Sequence, residues 1–155
     1  MALTIRSPKL DELPGLSDLC LRSKAVWGYD EAFMKACRGE LSFSAHDLEW
    51  THIAVAEEDG RAFGVVQVRV TNDNADLLKL FVEPALIGKG TGRALFTWAA
   101  DVSRGMGAGR MSIEADPDAA PFYRRMGARD AGEAPSGSIA GRMLPRLTFD
   151  LVRRD

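Results

Sequence analysis

Cysteine and histidine are scarce in this 155-residue chain, which contains two of each. Cys20 and Cys37 form neither a C-x-x-C motif nor a metal-ligand spacing, and His46 and His52 stand isolated. The sequence therefore predicts no metal site. Two reduced thiols on a helix face or in the core are expected rather than a disulfide, because free cysteine is commonly buried.

Long apolar runs and a targeting segment are also lacking. No apolar stretch approaches the ~18 residues of a membrane span. Residues 1–6 lack the basic and apolar regions of a signal peptide. The formal net charge is only -2, which predicts no electrostatic attraction to nucleic acid or to an anionic membrane. We expect a cytoplasmic protein with neither as a partner, and leave a homodimer open.

The composition fits one globular domain spanning residues 1–155. Hydrophobic residues make up 46% and charged residues 27% of the chain, an ordinary globular mixture that argues against disorder. A chain of this length can bury roughly two thirds of the surface that its unfolded form exposes. No internal repeat or linker divides it.

Apolar periodicity and turn residues predict an α+β (mixed α/β) fold. Asp59 and Gly60 predict a tight hairpin, because both tolerate positive φ, and Gly64 is expected to mark a bulge. The apolar run at 77–82 is typical of a central strand covered on both faces. The predicted elements are a strand at 3–6, a helix from Ser7 and Pro8 to about Ser23, a helix from Asp30 to before Gly39, a helical turn or loop at 45–50, strands at 53–56, 63–70 and 77–82, a helix at 91–104, a strand at 110–115, a helix opening at Asp116 and Pro117 and ending at Gly127, a short strand near Ala128, a loop at 131–145 and a strand at 147–151.

Three glycines alternate where the strand at 77–82 turns into the following helix. This segment, called the glycine loop, consists of Ile87, Gly88, Lys89, Gly90, Thr91, Gly92 and Arg93. The first N–H groups of a helix have no intrahelical partner, and the helix dipole adds partial positive charge there. Lys89 and Arg93 add full charges, so the loop predicts a site for a diphosphate.

Two common phosphate-binding motifs do not fit the glycine loop. The P-loop pattern G-x-x-x-x-G-K-[ST] fails because Lys89 precedes the middle glycine, and G-x-G-x-x-G fails because the glycines alternate strictly. A dinucleotide fold would also place its loop after the first strand of a parallel sheet. A tight turn with incidental basic residues is the alternative for the loop taken alone.

Two blocks of the sequence resemble the GNAT family of N-acetyltransferases. Val82 and Pro84 followed by the glycine loop resemble the family signature [QR]-x-x-G-x-[GA] after a strand ending V-x-P. Asp116 and residues 122–128 resemble the family's N-x-x-A-x-x-F-Y-x-x-x-G-F. Three positions depart from the pattern: Ile87 replaces Gln or Arg, Asp116 replaces Asn, and Ala128 replaces Phe. The stretches at 23–30 and 135–142 resemble a bacterial, small-molecule-type subgroup.

The resemblance implies a GNAT-like acyl-coenzyme A acyltransferase fold, with a central, mostly antiparallel, twisted sheet and flanking helices. It implies an enzyme that transfers an acetyl group directly from acetyl-coenzyme A to a primary amine of a small molecule or peptide. A non-catalytic module that binds or senses acyl-coenzyme A is the alternative. The residues implied to bind the cofactor are Leu80, Phe81, Val82, Ile87, Gly88, Lys89, Gly90, Thr91, Gly92, Arg93 and Asp116.

The same resemblance assigns catalytic and acceptor roles. Tyr123 aligns with the family tyrosine that protonates the leaving thiolate, and a main-chain N–H near Val82 would stabilise the oxyanion. Candidate bases for the acceptor amine are Asp76 and Glu114, with Glu83 a third, and a water relay could serve instead. The residues implied to line the acceptor site are Trp27, Tyr29 and Arg142, the last through a carboxylate or phosphate of the substrate.

Overall fold

The computed structural model describes residues 3–152. That part of the chain contains seven strands and five α-helices. They are β1 Thr4–Arg6, α1 Leu13–Ala25, α2 Glu31–Cys37, α3 Ala45–Trp50, β2 His52–Glu58, β3 Arg61–Thr71, β4 Asn74–Val82, α4 Thr91–Gly105, β5 Arg110–Glu114, α5 Ala120–Arg125, β6 Arg129–Pro135 and β7 Met143–Asp150.

The strands form one sheet in the order β1-β2-β3-β4-β5-β7-β6. Every neighbouring pair is antiparallel except β4 and β5, which are parallel. The hairpin between β2 and β3 turns at Asp59 and Gly60, both with positive φ as expected. This architecture confirms the α+β fold with a mostly antiparallel sheet and flanking helices.

Strands β4 and β5 stop pairing about halfway along β4. Their pairing ends at Leu77 and Ile113. Beyond that point β5 stays with β7, with Glu114 opposite Arg146, while β4 stays with β3 as far as Val82. The edge of β4 that faces β5 is therefore unpaired after Leu77, and we call the opening between the two strands the gap.

A bulge in β4 lies at the start of the gap. Gln67 of β3 pairs with Lys79 and Val68 pairs with Leu77, which leaves Leu78 as the extra residue. The bulge exposes 38% of the Leu78 side chain. The expectation that this central strand is covered on both faces is therefore wrong at Leu78.

The bulge expected at Gly64 lies one residue earlier. Ala56 of β2 pairs with Gly64 and Glu57 with Ala62, so Phe63 is the extra residue. Gly64 itself accommodates a close approach from the helix above, because a Cβ there would lie 2.8 Å from Leu95 Cδ1. The expected bulge is therefore present, but its extra residue is Phe63 rather than Gly64.

Two apolar cores cover opposite faces of the sheet. Helices α4 and α5 cover the face that we call the α4 face, and the helices before β2 cover the other, which we call the α1 face. Buried residues of the α4 face include Val66, Leu77, Leu95, Phe96, Met111, Ile113 and Tyr123. Those of the α1 face include Leu16, Leu19, Cys20, Cys37, Val55 and Val65.

Helix α1 begins later than its sequence predicted. Ser7 and Pro8 stay outside it, and a single 3-10 turn at Leu10–Glu12 precedes Leu13. The Glu12 carboxylate accepts the Lys9 N–H at 2.8 Å, so the capping contact forms two residues after Ser7 and at the 3-10 turn rather than at α1 itself. A proline is still present in the first turn of the helix, as its position there favours.

Two boundaries near the C-terminus also differ from expectation. Helix α5 begins at Ala120 rather than at Asp116, because Asp116 Oδ1 accepts the Asp118 N–H at 2.9 Å and holds a turn before the helix. The loop expected at 131–145 is confined to 136–142, since β6 and β7 occupy the rest. Strand β6 lies at the sheet edge and is largely exposed, so it lacks the apolar alternation that identifies a strand.

Candidate active site

The glycine loop adopts backbone conformations that favour glycine. Gly88 has φ 87° and Gly90 has φ 89°, in the left-handed region that side chains rarely adopt. Gly90 immediately precedes α4, whose first intrahelical hydrogen bond runs from the Ala94 N–H to the Gly90 carbonyl at 3.1 Å. The N–H groups from Gly90 to Arg93 precede this bond and have no intrahelical acceptor.

Apart from the buried Thr91, the side chains of the glycine loop are exposed. Lys89 and Arg93 are exposed, and neither forms an ion pair within residues 3–152. Ile87 is 45% exposed, and its side chain offers no hydrogen bond. A Cβ on Gly92 would lie 3.3 Å from the Phe122 ring, so the absence of a side chain lets α5 pack against the first turn of α4.

The gap leads directly to the glycine loop. Leu80, Phe81 and Val82 form its β4 side, and a short 3-10 helix at Pro84–Leu86 joins that strand to the loop. Leu80 and Val82 pack towards the α4 face, and Phe81 packs towards the α1 face. Only residues 83–89 separate the unpaired backbone edge of β4 from the first free N–H groups of α4.

Tyr123 is buried on the α4 face, among aromatic residues of α4 and α5. Its ring centre lies 5.2 Å from that of Phe122 and 6.1 Å from that of Phe96. Burial raises the pKa of Tyr123 above its usual value. The phenol is therefore a neutral proton donor at physiological pH.

The three carboxylates considered as bases lie in different surroundings. Asp76 precedes the gap and forms an ion pair with Arg69 at 3.3 Å. Glu83 is ion-paired with Arg22. Glu114 ends β5 at the gap, is exposed, and makes no ion pair with any residue in the described range. Of the three, Glu114 alone is both at the gap and free.

Tyr29, Arg142 and Asp116 meet in one hydrogen-bonded group, although the sequence had assigned Asp116 to the cofactor and the other two to the acceptor. The Tyr29 hydroxyl donates to Asp116 Oδ2 at 2.6 Å, and Arg142 Nη2 donates to the Tyr29 hydroxyl at 2.8 Å. Lys24 Nζ lies 3.3 Å from the same Asp116 Oδ2. With Phe33, these residues form what we call the acceptor cluster.

Stacked rings support the charged groups of the acceptor cluster. The Tyr29 and Phe33 ring centres lie 4.0 Å apart with 14° between their planes. The Arg142 guanidinium carbon lies 4.8 Å from the Phe33 ring centre and 5.2 Å from that of Tyr29. Such placement over ring faces favours a cation. The expected third wall residue, Trp27, is 41% exposed and joins none of these contacts.

The cluster shifts the pKa values of its two acids in opposite directions. Burial, with the hydrogen bond to the Asp116 carboxylate, raises the pKa of Tyr29 to about 12. Burial would also raise the pKa of Asp116, but hydrogen bonds from Tyr29 and the Asp118 N–H, with the Lys24 charge, outweigh it and lower that pKa. Asp116 is therefore an anion and Tyr29 a neutral donor near pH 7.

Sequence reasoning missed Lys24, Phe33 and Lys79 on this side of the sheet. Lys79 Nζ donates to Gln67 Oε1 at 2.9 Å and lies 4.8 Å from the Phe43 ring centre. Burial lowers the pKa of Lys79. A signal for Lys79 existed, since it is the one charged residue in the run 77–82. Lys24 and Phe33 carried none, because only the folded chain brings them to Asp116 and Arg142.

No helix within residues 3–152 is long and apolar enough to cross a membrane. The same part of the chain has no group of three or more histidine, cysteine, aspartate or glutamate side chains that could hold a metal ion.

Comparison with known proteins gives one family and many similar folds. A family model described as an acetyltransferase (GNAT) domain matches residues 49–127. No curated protein matches the chain.

Three solved structures illustrate the likeness in fold. The PaiA N-acetyltransferase of Thermoplasma acidophilum, in complex with coenzyme A, is 16% identical with a TM-score of 0.79, over 97% of this chain and 99% of that one. YncA of Salmonella typhimurium, with its cofactor acetyl-CoA, is 19% identical with a TM-score of 0.70, over 100% and 97%. The ribosomal-protein-S18-alanine N-acetyltransferase of Escherichia coli is 19% identical with a TM-score of 0.72, over 99% and 97%.

Proposed function

The chain belongs to the GNAT acetyltransferase family, and on that premise we propose that it transfers an acetyl group from acetyl-coenzyme A to a primary amine of a small molecule or peptide. The observation that carries the proposal is the gap between β4 and β5, whose β4 side continues through a short 3-10 helix into the glycine loop and the free N–H groups of α4. Tyr123 lies on the helix that packs against the same loop.

The glycine loop fits the diphosphate of coenzyme A. Its N–H groups from Gly90 to Arg93 have no intrahelical acceptor. The positive φ of Gly88 and Gly90 allows the tight turn that precedes them. Lys89 and Arg93 would neutralise the phosphate charge. Ile87 contributes no polar group, so the backbone and the two cations would hold the diphosphate.

The unpaired edge of β4 fits the amide-bearing arm of coenzyme A. Leu80, Phe81 and Val82 present backbone N–H and carbonyl groups towards the gap, and such groups need partners when water is excluded. The arm would pair with them as an added strand does. An N–H of this segment would also stabilise the negative charge that develops on the acetyl oxygen.

Acetyl-coenzyme A, when bound, supplies a thioester. Acetyl transfer to the amine forms a carbon–nitrogen bond and breaks the carbon–sulfur bond. One proton must leave the amine nitrogen, and one must reach the sulfur. Tyr123 would supply the proton to sulfur, because burial keeps its phenol protonated. Glu114 would accept the amine proton, directly or through water, since it is the free carboxylate at the gap. Asp76 remains the second candidate.

Calorimetry tests the donor site of this proposal. Acetyl-coenzyme A and ATP are titrated separately into the full-length protein. We expect acetyl-coenzyme A to bind at one site and ATP to bind far more weakly, because the gap fits an extended arm as well as a diphosphate. Tight ATP binding without acetyl-coenzyme A binding would overturn the assignment.

A thiol-release assay with Tyr123→Phe tests the chemistry. General acid catalysis contributes about 100-fold or more, so kcat should fall by at least about that factor. The dissociation constant of coenzyme A, measured by calorimetry on the same variant, should change by less than ~2-fold. Unchanged turnover would remove Tyr123 from the mechanism.

A further inference from the structure

Two cations share a single carboxylate in the acceptor cluster. Lys24 lies 3.3 Å and Arg142 lies 3.6 Å from Asp116 Oδ2. The three side chains are mostly buried, with exposures of 14%, 19% and 10% for Lys24, Arg142 and Asp116. Neither cation has a second carboxylate within 4 Å in the described part of the chain. The cluster therefore holds one net positive charge that is poorly screened by water.

The hydrogen-bonding capacity of the cluster is also unequal. Asp116 accepts from Tyr29 and Lys24 at Oδ2 and from the Asp118 N–H at Oδ1, so most of its acceptor positions are used. Lys24 has three donors and Arg142 has five, and each makes one hydrogen bond inside the cluster. The cluster thus has more hydrogen-bond donors than acceptors and a net positive charge, and both favour binding of an anion.

The cluster lies beside the proposed reaction site. Asp116 is three residues past Ile113 on one side of the gap, and Leu80 is three residues past Leu77 on the other. Glu114 precedes Asp116 by two residues, which is roughly 7 Å along an extended chain. Arg142 lies 3.6 Å from Asp116 Oδ2, so a ligand with its amine a few bonds from its anionic group has the right scale to extend from Arg142 towards Glu114.

We propose that the acceptor cluster binds a carboxylate of the acceptor, and that the acceptor is a small amino acid or a close analogue with a primary amine a few bonds from that carboxylate. Arg142 and Lys24 hold the carboxylate, and Asp116 with Tyr29 positions them. The inference rests on the proposed function, because it assigns the amine to the acetyl transfer site at Glu114.

Matched acceptors test this substrate class. Thiol release is measured with glycine, β-alanine, 4-aminobutyrate and glycylglycine, each against its carboxamide. At least one carboxylate should be preferred over its amide by about ten- to hundred-fold in kcat/KM, mainly through KM, as expected for a charge-assisted pair. In Arg142→Gln the preference should fall to within ~3-fold, while Arg142→Lys keeps part of it. Comparing variant with wild type cancels the different basicity of acid and amide amines.

A control variant and a binding measurement distinguish failure of carboxylate recognition from failure of acetyl transfer. Arg61→Gln removes an arginine from the β2–β3 hairpin and should leave the preference unchanged; thermal unfolding checks that every variant is folded. Binding of the same pairs to coenzyme A-saturated protein is followed by NMR. Carboxylate-selective binding that Arg142→Gln abolishes, without turnover, supports the cluster and counts against acetyl transfer. Equal use or binding of acid and amide, or a preference that survives Arg142→Gln, would overturn the inference.

Discussion

Substitution of Gly90 by alanine separates the binding role of the glycine loop from its contribution to folding. Gly90 has φ 89° and Gly60, in the β2–β3 hairpin, has φ 78°; a Cβ at either position would meet no atom within 4 Å. Both substitutions therefore impose the same kind of cost, the strain of a left-handed residue with a side chain, which is about 1–2 kcal/mol. For a chain of this size such a loss lowers Tm by roughly 2–8 °C.

Only the Gly90→Ala change lies at the diphosphate site. If the loop relieves its strain by rotating towards right-handed φ, the N–H groups that follow Gly90 no longer converge on the diphosphate. Loss of one hydrogen bond to a charged group costs about 1.5–3 kcal/mol, so the dissociation constant of coenzyme A should rise about 10- to 100-fold. Gly60→Ala should leave it unchanged.

The assay combines calorimetric titration of coenzyme A with thermal unfolding of both variants. The expected result is a similar Tm loss in the two proteins and weakened coenzyme A binding in Gly90→Ala alone. Equal coenzyme A affinity in Gly90→Ala and Gly60→Ala would show that the loop backbone does not hold the ligand.

Three further predictions concern the core, an ion pair and the base. Phe96→Ala should lower the free energy of unfolding by about 3–5 kcal/mol in urea titrations, since this fully buried ring packs on three aromatic neighbours. The hydrogen bond from Arg6 lowers the pKa of Glu12 to about 2, so the contribution of this ion pair to the free energy of unfolding is present above pH ~4.5 and is lost as pH falls towards 2. Glu12→Gln should lower the free energy of unfolding by ~1 kcal/mol at pH 7 and by almost nothing near pH 2. An equal loss at both pH values would contradict this. Glu114→Gln should lower kcat about 100-fold and Asp76→Asn far less; the reverse order in thiol release would move the base to Asp76.

The loop and strand elements near the gap were predictable because their signals are local. The alternating glycines of the glycine loop lie within seven residues, and the turn at Asp59 and Gly60 depends on two. The start of α1 was not predictable in the same way. The sequence indicated Ser7 and Pro8, whereas the helix begins at Leu13, after a 3-10 turn at which the Glu12 carboxylate accepts the Lys9 N–H.

The acceptor cluster shows why the site was only partly predictable. Tyr29 and Asp116 are 87 residues apart and Tyr29 and Arg142 are 113 apart. Tyr29 and Arg142 could be proposed as acceptor-site residues from the segments in which they lie. Their contacts with Asp116 and Lys24 depend on tertiary packing. No local pattern in a single sequence records such a contact. Edge strand β6 was predicted only as a short strand near Ala128, since an exposed strand has no buried face to mark its full length.

Acetyl transfer itself is tested most directly by measuring coenzyme A thiol and acetylated amine together. Full-length protein with saturating acetyl-coenzyme A is mixed with the amine panel, and free thiol and product mass are followed in the same samples. Direct acetyl transfer predicts amine-dependent thiol release that matches acetylated amine one to one and falls about 100-fold in Tyr123→Phe. Acetyl-coenzyme A binding with no amine-dependent thiol release across the panel would contradict it and indicate a binding module.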